Sequence, residues 1–228
     1  MSALTSKYRT EYFQKKLTLW FASNGRNFPW RKKNLSNYQR VIAEVLLQRT
    51  KAETVAKFFP KFIKHYPTWQ SLAIAKQKDI EKYLKPIGLF KQRSKRLLDL
   101  AKVMTKKNGR FPKDRHRLES IPFVGQYIAN SILLFIHNEP QPLLDINMAR
   151  LLERFFEPRK LVDIRDDPFL QELSKRIADH QDSKIVNWAI LDFATLVCKK
   201  NPLCSKCVLK SKCNYFKRTQ LLDGKITE

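Results

Sequence analysis

The chain is predicted to be all-α. Apolar residues recur at helical spacing in one segment after another, and no stretch of useful length alternates polar with apolar as a strand does. Only five glycines occur in 228 residues, which leaves little material for a loop-rich fold. A chain of this length buries a proper core and is expected to form one or two small domains.

Residues 6–24 place Tyr8, Tyr12, Phe13, Leu17, Trp20 and Phe21 at helical spacing, with Gly25 as the stop. The basic, turn-rich segment 26–37 carries Phe28-Pro29-Trp30-Arg31, in which Trp30 is expected to pack on the core. Residues 38–50 are apolar on nearly every side and predict a buried helix, yet Glu44 sits in its middle. A carboxylate there is costly unless it is paired, hydrogen-bonded or facing a cleft, and burial raises its pKa. Glu44 therefore either reaches a solvent edge or has a function. Gln48, Arg49 and Thr50 close this helix as polar residues compatible with its dipole.

Segments 51–66, 68–75 and 78–84 predict short amphipathic helices punctuated by Pro60, Pro67 and Pro86, and a turn at Gly88 feeds a long basic helix, 92–107. Leu118 and Ile121 then close one apolar face, Pro122 ends it, and Gly125 opens a second amphipathic run through Ile136. Helix, tight turn and helix in this order aim backbone N–H groups and a helix N-terminus at one point, which suits a phosphate oxygen. Asp145 precedes a strongly periodic helix, 147–156, where it is placed to act as N-cap. Helices at 168–180 and 184–198 are expected to turn Leu173, Ile177, Ile185, Trp188, Leu191, Phe193 and Leu196 toward a core, with Asp192 in a structural role.

Forty-five Lys and Arg against twenty-one Asp and Glu give a formal charge of +24, spread along the chain. That excess is extreme for a generic basic protein and is the electrostatic footprint of a polyanion binder with salt-sensitive affinity. The N-terminus lacks the apolar core of a signal peptide, and no stretch approaches the length needed to span a bilayer. The chain is accordingly expected to be intracellular (cytoplasm, or nucleoid in a prokaryote) with no membrane partner. All four cysteines lie between Cys198 and Cys213, which in a reducing compartment favours metal ligation over disulfides. Their C-x5-C-x2-C-x5-C spacing has one close pair where zinc commonly uses two, and on spacing alone both zinc and iron remain open.

Ile121-Pro122-Phe123-Val124-Gly125, followed by Asp145-Ile146-Asn147, resembles the frame of the helix-hairpin-helix DNA glycosylases that include endonuclease III and the adenine- and thymine-specific mismatch glycosylases. The Glu44-Val45-Leu46-Leu47-Gln48-Arg49-Thr50 helix, the Ile87-Gly88-Leu89 turn and the segment from Asn187 to Phe193 extend the likeness from Phe28 to Cys213. The resemblance implies two helical domains flanking a DNA-binding cleft: a central one, 29–143, containing the hairpin, and a second made of 1–28 with 144–228. It implies catalytic roles for Asp145, Glu44 and Tyr127 and a supporting role for Asn147. Gln48 and Arg49 would fill the duplex where a base is extruded, with Arg49 as the wedge, while Phe123, Val124 and Gly125 would meet the DNA backbone. Phe123 stands where the family has its first hairpin glycine, so a positive φ there would be strained. Cys198, Cys204, Cys207 and Cys213 would ligate a [4Fe-4S] cluster, although the first gap is one residue shorter than usual.

Tyr127 occupies the place where bifunctional relatives carry the lysine that forms a Schiff base, so efficient lyase activity is not expected. The implied reaction is hydrolysis of the N-glycosidic bond of thymine, or uracil, mispaired with guanine in duplex DNA, leaving an abasic site for base excision repair. The Ile-Gly-Leu-x-x-Gln-Arg and Asp-Phe segments look closest to the thymine-specific enzymes, and the chain ends soon after the cysteines, where adenine-specific enzymes normally continue. Adenine opposite guanine or 8-oxoguanine is the alternative. An alternative of another class is a non-catalytic helix-hairpin-helix DNA-binding protein, which would have no need of Glu44 and Asp145 together. Mismatched double-stranded DNA is the expected partner and a monomer the expected state.

Overall fold

The structure, a computed structural model, describes residues 6–223; residues 1–5 and 224–228 lie outside it, and with them the start of the N-terminal stretch read for a targeting signal and the last residues of the second expected domain. Among the described residues every regular element is helical. The chain divides into two compact units, one made of residues 1–26 with 139–228 and one of residues 27–138.

The first element, α1 (Lys7–Asn24), belongs to the terminal unit. The Ser6 side chain caps it by accepting from the Arg9 N–H, and Phe13 and Leu17 are fully buried while Tyr8 turns outward to 65% exposure. Gly25 ends the helix in extended conformation, φ −61°, with its N–H on the Phe21 carbonyl at 2.8 Å. A Cβ there would come within 2.7 Å of that same carbonyl oxygen and of the Phe21 ring. Close approach, and not positive φ, is what requires the glycine.

The inner unit holds α2 (Asn37–Leu47), α3 (Ala52–His65), α4 (Trp69–Ala73), α5 (Gln77–Leu84), α6 (Phe90–Lys106), α7 (Arg115–Glu119) and α8 (Gln126–Phe135). A Ser36/Gln39 capping box starts α2, which packs on α3, α6 and α8 and so buries every residue from Val41 to Leu46. This helix ends at Leu47, three residues before the expected end, because the backbone has turned over at Arg49, φ 57°. Pro60 lies inside α3, within the segment 51–66 expected to be helical. The burial of Val55, Phe58, Phe59 and Phe62 along that helix, on the order of 1.5–3 kcal/mol per side chain, outweighs the roughly 3 kcal/mol cost of an interior proline. Trp30 is buried as expected, stacked on Phe28 at 4.6 Å and edge-on to Phe59. The long basic helix starts two residues early, at Phe90, directly after Gly88 (φ 72°) and Leu89 (φ 50°).

The terminal unit continues with α9 (Ile146–Phe155), α10 (Pro168–Ala178), α11 (Ser183–Leu196) and α12 (Asn214–Asp223). Its core gathers Phe13, Phe155 and Phe156, with Phe13 at 5.0 and 5.3 Å from the other two rings. The buried face of α11 is Val186, Ala189, Ile190, Phe193 and Ala194. Leu173, Ile177 and Phe193 sit in the core as expected, but Ile185, Trp188 and Leu191 are only half-buried and Leu196 is 38% exposed. The helix is rotated because two polar residues, Asn187 and Asp192, are fully buried on it. Asp192 accepts from the Arg26 backbone N–H (2.8 Å) and Nε (2.9 Å) and pairs with its Nη2 at 2.7 Å, which ties the chain after α1 to α11. The α12 helix was not apparent from periodicity.

Removing one partner of a buried ion pair leaves the other desolvated and unmatched. Asp192→Ala is expected to lose about 3 kcal/mol of stability, read as a lower urea midpoint with an unchanged slope.

Candidate active site

Glu44 lies midway along α2 and is 6% exposed. Because α2 packs on α8, the hydroxyl of Tyr127 reaches its carboxyl and hydrogen-bonds it, and Arg31 adds a weaker attraction. Burial outweighs both and pushes the Glu44 carboxyl up to about 7. Its Oε2 is buried without a hydrogen-bond partner. A desolvated carboxyl with an open oxygen, able to hold or release a proton near neutral pH, is a group suited to general acid–base chemistry.

The helix-hairpin-helix is formed by α7, the turn 120–125 and α8. Ile121 and Val124 anchor the turn in the core, and the Val124 N–H is taken by the Ile121 carbonyl at 3.0 Å. With its side chain and amide both engaged, Val124 shapes the turn, while Phe123 and Gly125 on either side of it are exposed. Phe123 is 40% exposed at φ 67°, with the Arg96 guanidinium 5.6 Å from its ring, so the strain expected at this position is present. Gly125 is the N-cap of α8 in extended conformation, and the helix has no side-chain cap. Where a Cβ would point from Gly125, no atom lies within 4 Å. The backbone at the positive end of α8 is thus open to a ligand. Below it, Arg115 braces the motif through Asn130 (2.5 Å) and Glu119 (3.0 Å). In the same unit Arg49 is exposed and Gln48 half-buried in the loop after α2.

In the terminal unit Asp145 is the N-cap of α9, as its position implied. Its Oδ1 accepts from the N–H groups of Asn147 (2.9 Å) and Met148 (2.8 Å), and its Oδ2 accepts from Asn147 Nδ2 (2.8 Å). Asn147 in turn accepts from Arg150 Nη2 at 3.0 Å, and Arg150 donates onward to the carbonyls of Ala194 (2.9 Å) and Cys198 (3.0 Å). The approach to Asp145 is fixed from α11: Asn187 accepts from the Leu143 N–H at 2.6 Å and donates to the Gln141 carbonyl at 3.1 Å. Sequence reasoning missed Arg150 and Asn187 in these roles. The one available signal was a polar residue, Asn187, set in the otherwise apolar run of α11.

Cys198, Cys204, Cys207 and Cys213 all line one cavity, together with Leu151, Arg154, Phe155 and Tyr215. No group of three or more His, Cys, Asp or Glu among the described residues is arranged to hold a metal ion as the side chains stand. Burial, reinforced by the neighbouring thiols, raises Cys204 and Cys213 and pushes Cys207 up to about 11. Four cysteines on the walls of one cavity are a donor set of the kind that a thiolate-bound metal centre uses.

Residues 42–178 match the family described as HhH-GPD superfamily base excision DNA repair protein. The chain is 33% identical to a thymine-DNA glycosylase of Aeropyrum pernix, across 92% of this chain and 96% of that protein. It is 32% identical to a thymine/uracil-DNA glycosylase of Pyrobaculum aerophilum, across 91% and 93%. The structure of a thermostable thymine-DNA glycosylase superposes with a TM-score of 0.84 at 27% identity, covering 92% of this chain and 98% of that one.

The raised Glu44 carboxyl sets a stability dependence on pH. Below about pH 4.5 it is neutral in both the folded and unfolded chain. Between there and about pH 7 the unfolded chain releases a proton that the fold retains, so stability falls as pH rises and then levels off. Glu44→Gln removes this cost: the variant is expected to be more stable than the parent at pH 8 by about 3 kcal/mol, and no more stable at pH 4.5, in paired urea titrations.

Proposed function

Because the chain belongs to the HhH-GPD superfamily of base excision DNA repair proteins, we propose that it is a monofunctional DNA glycosylase hydrolysing the N-glycosidic bond of thymine or uracil mispaired with guanine in duplex DNA. The carrying observation is the Glu44–Tyr127 pair: a buried carboxyl poised near neutral pH, bonded to a hydroxyl where strand cleavage would need an amine. The choice of base rests on the relatives, all matched over most of their length. The +24 charge suits duplex DNA as substrate. We read the protein as a monomer working in the cytoplasm or on the nucleoid.

The target nucleotide must leave the stack, at a cost of a few kcal/mol that is least for a mismatch. Gln48 and Arg49 take up the vacated space in the duplex, while the backbone at Phe123 and Gly125, shaped by Val124, and the α8 N-terminus take a phosphate. Bond cleavage builds positive charge on the sugar, and Asp145 offsets it as a carboxylate already fixed by three N–H donors. Asn147 supports that geometry. Glu44 donates its proton to the departing base as the C–N bond breaks, water adds at the sugar carbon and gives up a proton that returns to Glu44, and Tyr127 holds the Glu44 carboxyl throughout, leaving an abasic site.

The four cysteines would hold a [4Fe-4S] cluster, which when bound supplies a covalent tie for the irregular loop 198–213. The supporting features are the shared cavity and the Arg154 guanidinium, 3.5 Å from the Cys198 sulfur.

Single-turnover base release from T·G, U·G, A·G and A·8-oxoguanine duplexes is expected to favour the first two. Asp145→Asn keeps an N-cap and is expected to bind DNA while losing roughly 10³-fold in rate; binding without release by the parent on every duplex would leave a DNA-binding protein only. The rate is expected to fall as pH rises through about 7, and Glu44→Gln to abolish that limb. Tyr127→Lys should gain borohydride-trappable strand cleavage, and covalent trapping by the parent would end the monofunctional reading. Anaerobically purified protein should carry about four irons with acid-labile sulfide and broad visible absorption, all lost in Cys204→Ser.

A further inference from the structure

Arg93 stands in the first turn of α6 and is 4% exposed. Its guanidinium bonds oxygens of two loops far apart in sequence. Nη2 donates to the Gln48 carbonyl and the Thr50 hydroxyl, each at 2.8 Å, and Nη1 donates to the carbonyls of Ile87 (3.2 Å) and Gly88 (2.6 Å). The Thr50 hydroxyl, 3.4 Å from the Ile87 carbonyl, closes the bridge. Among the described residues no carboxylate pairs with Arg93.

Each bridged loop ends in an outward tip with left-handed backbone: Arg49, exposed at φ 57°, and Leu89, 44% exposed at φ 50°. L-residues hold that conformation only when their surroundings over-determine it, and the same guanidinium supplies the determining bonds on both sides. One tip is a cation and the other apolar. The exposed Lys51, Lys85 and Lys91 flank them, and the buried positive charge between them has no acidic neutraliser, which suits a polyanion backbone.

We propose that Arg93 is a positioning residue that locks the Arg49 and Leu89 tips into one rigid pair, so that both enter the duplex together and base extrusion depends on the pair as a unit. This rests on the glycosylase reading. A loop that moved by itself could yield when pressed against stacked bases; a pair cross-linked through a buried guanidinium must yield together or not at all.

The test uses the full-length protein with Arg93→Met, which keeps the stem and removes the donors, and Arg93→Lys, which keeps one charge donor. Hydrogen exchange is expected to quicken at least tenfold in residues 48–50 and 87–90 together in Arg93→Met, with α8 amides unchanged. Quickening in one loop alone, in neither, or equally throughout the unit would overturn the lock. With 2-aminopurine beside a T·G mismatch, the unstacking signal on binding is expected to vanish in Arg93→Met and to return in part in Arg93→Lys. Base release from that duplex should slow at least tenfold in kcat with little change in KM. Arg49→Ala and Leu89→Ala should be non-additive in the parent and additive in the Arg93→Met background. Full extrusion despite loosened loops overturns the proposal. If the parent releases no base from any duplex, the glycosylase reading falls, and the exchange and 2-aminopurine results still judge the lock.

Discussion

Burial of one carboxyl in the middle of α2 is the constraint on which the inner unit turns. The helix must be apolar on nearly every side to pack on α3, α6 and α8, and Glu44 must endure the desolvation which that packing imposes. Tyr127, on the second hairpin helix that packs on α2, relieves part of the cost. The fold thereby tolerates a destabilised group at neutral pH, a carboxyl that keeps its proton up to about pH 7. A glutamine would carry neither that cost nor a titrating proton.

Asp145 shows a different route to the same end. The bonds that make it a helix cap are the bonds that would preorganise it as an electrostatic partner for a developing cation: two backbone N–H groups and the Asn147 amide, with Arg150 behind. Capping and chemistry are not rival descriptions here. A carboxylate fixed by donors on one side has no reorganisation left to make when charge appears on the other.

The chain, in which basic residues outnumber acidic ones more than twofold, does not set every guanidinium against a carboxylate. It places several on backbone carbonyls. Arg9 reaches those of Phe155 and Lys212, Arg93 those of Gln48, Ile87 and Gly88, Arg150 those of Ala194 and Cys198, and Arg154 those of Lys199 and Lys200. Carbonyls at loops and helix ends lack intrahelical partners, so a forked donor satisfies several at once and fixes the loop. The basic excess that suits a polyanion is thus also the means by which the irregular segments of both units are held.

Local periodicity was enough to predict an all-helical chain and to place most of its helices, because which face of a helix is apolar is written within three or four residues. The oddity of Glu44 in α2 and the capping position of Asp145 were likewise visible, being a mismatch and a boundary. The end of α2 at Leu47 and the rotation of α11 away from Leu196 were not, since each is decided by partners elsewhere: Arg93 on the loop after α2, Asn187 and Asp192 on the buried side of α11. The raised affinity of Glu44 for its proton and the bonding of Arg93, Arg150 and Asn187 belong to tertiary structure alone. Sequence determines what each segment would bury; which oxygens a long side chain finds, and how dry a carboxyl becomes, depends on chain segments dozens of residues away that only folding brings within 3 Å.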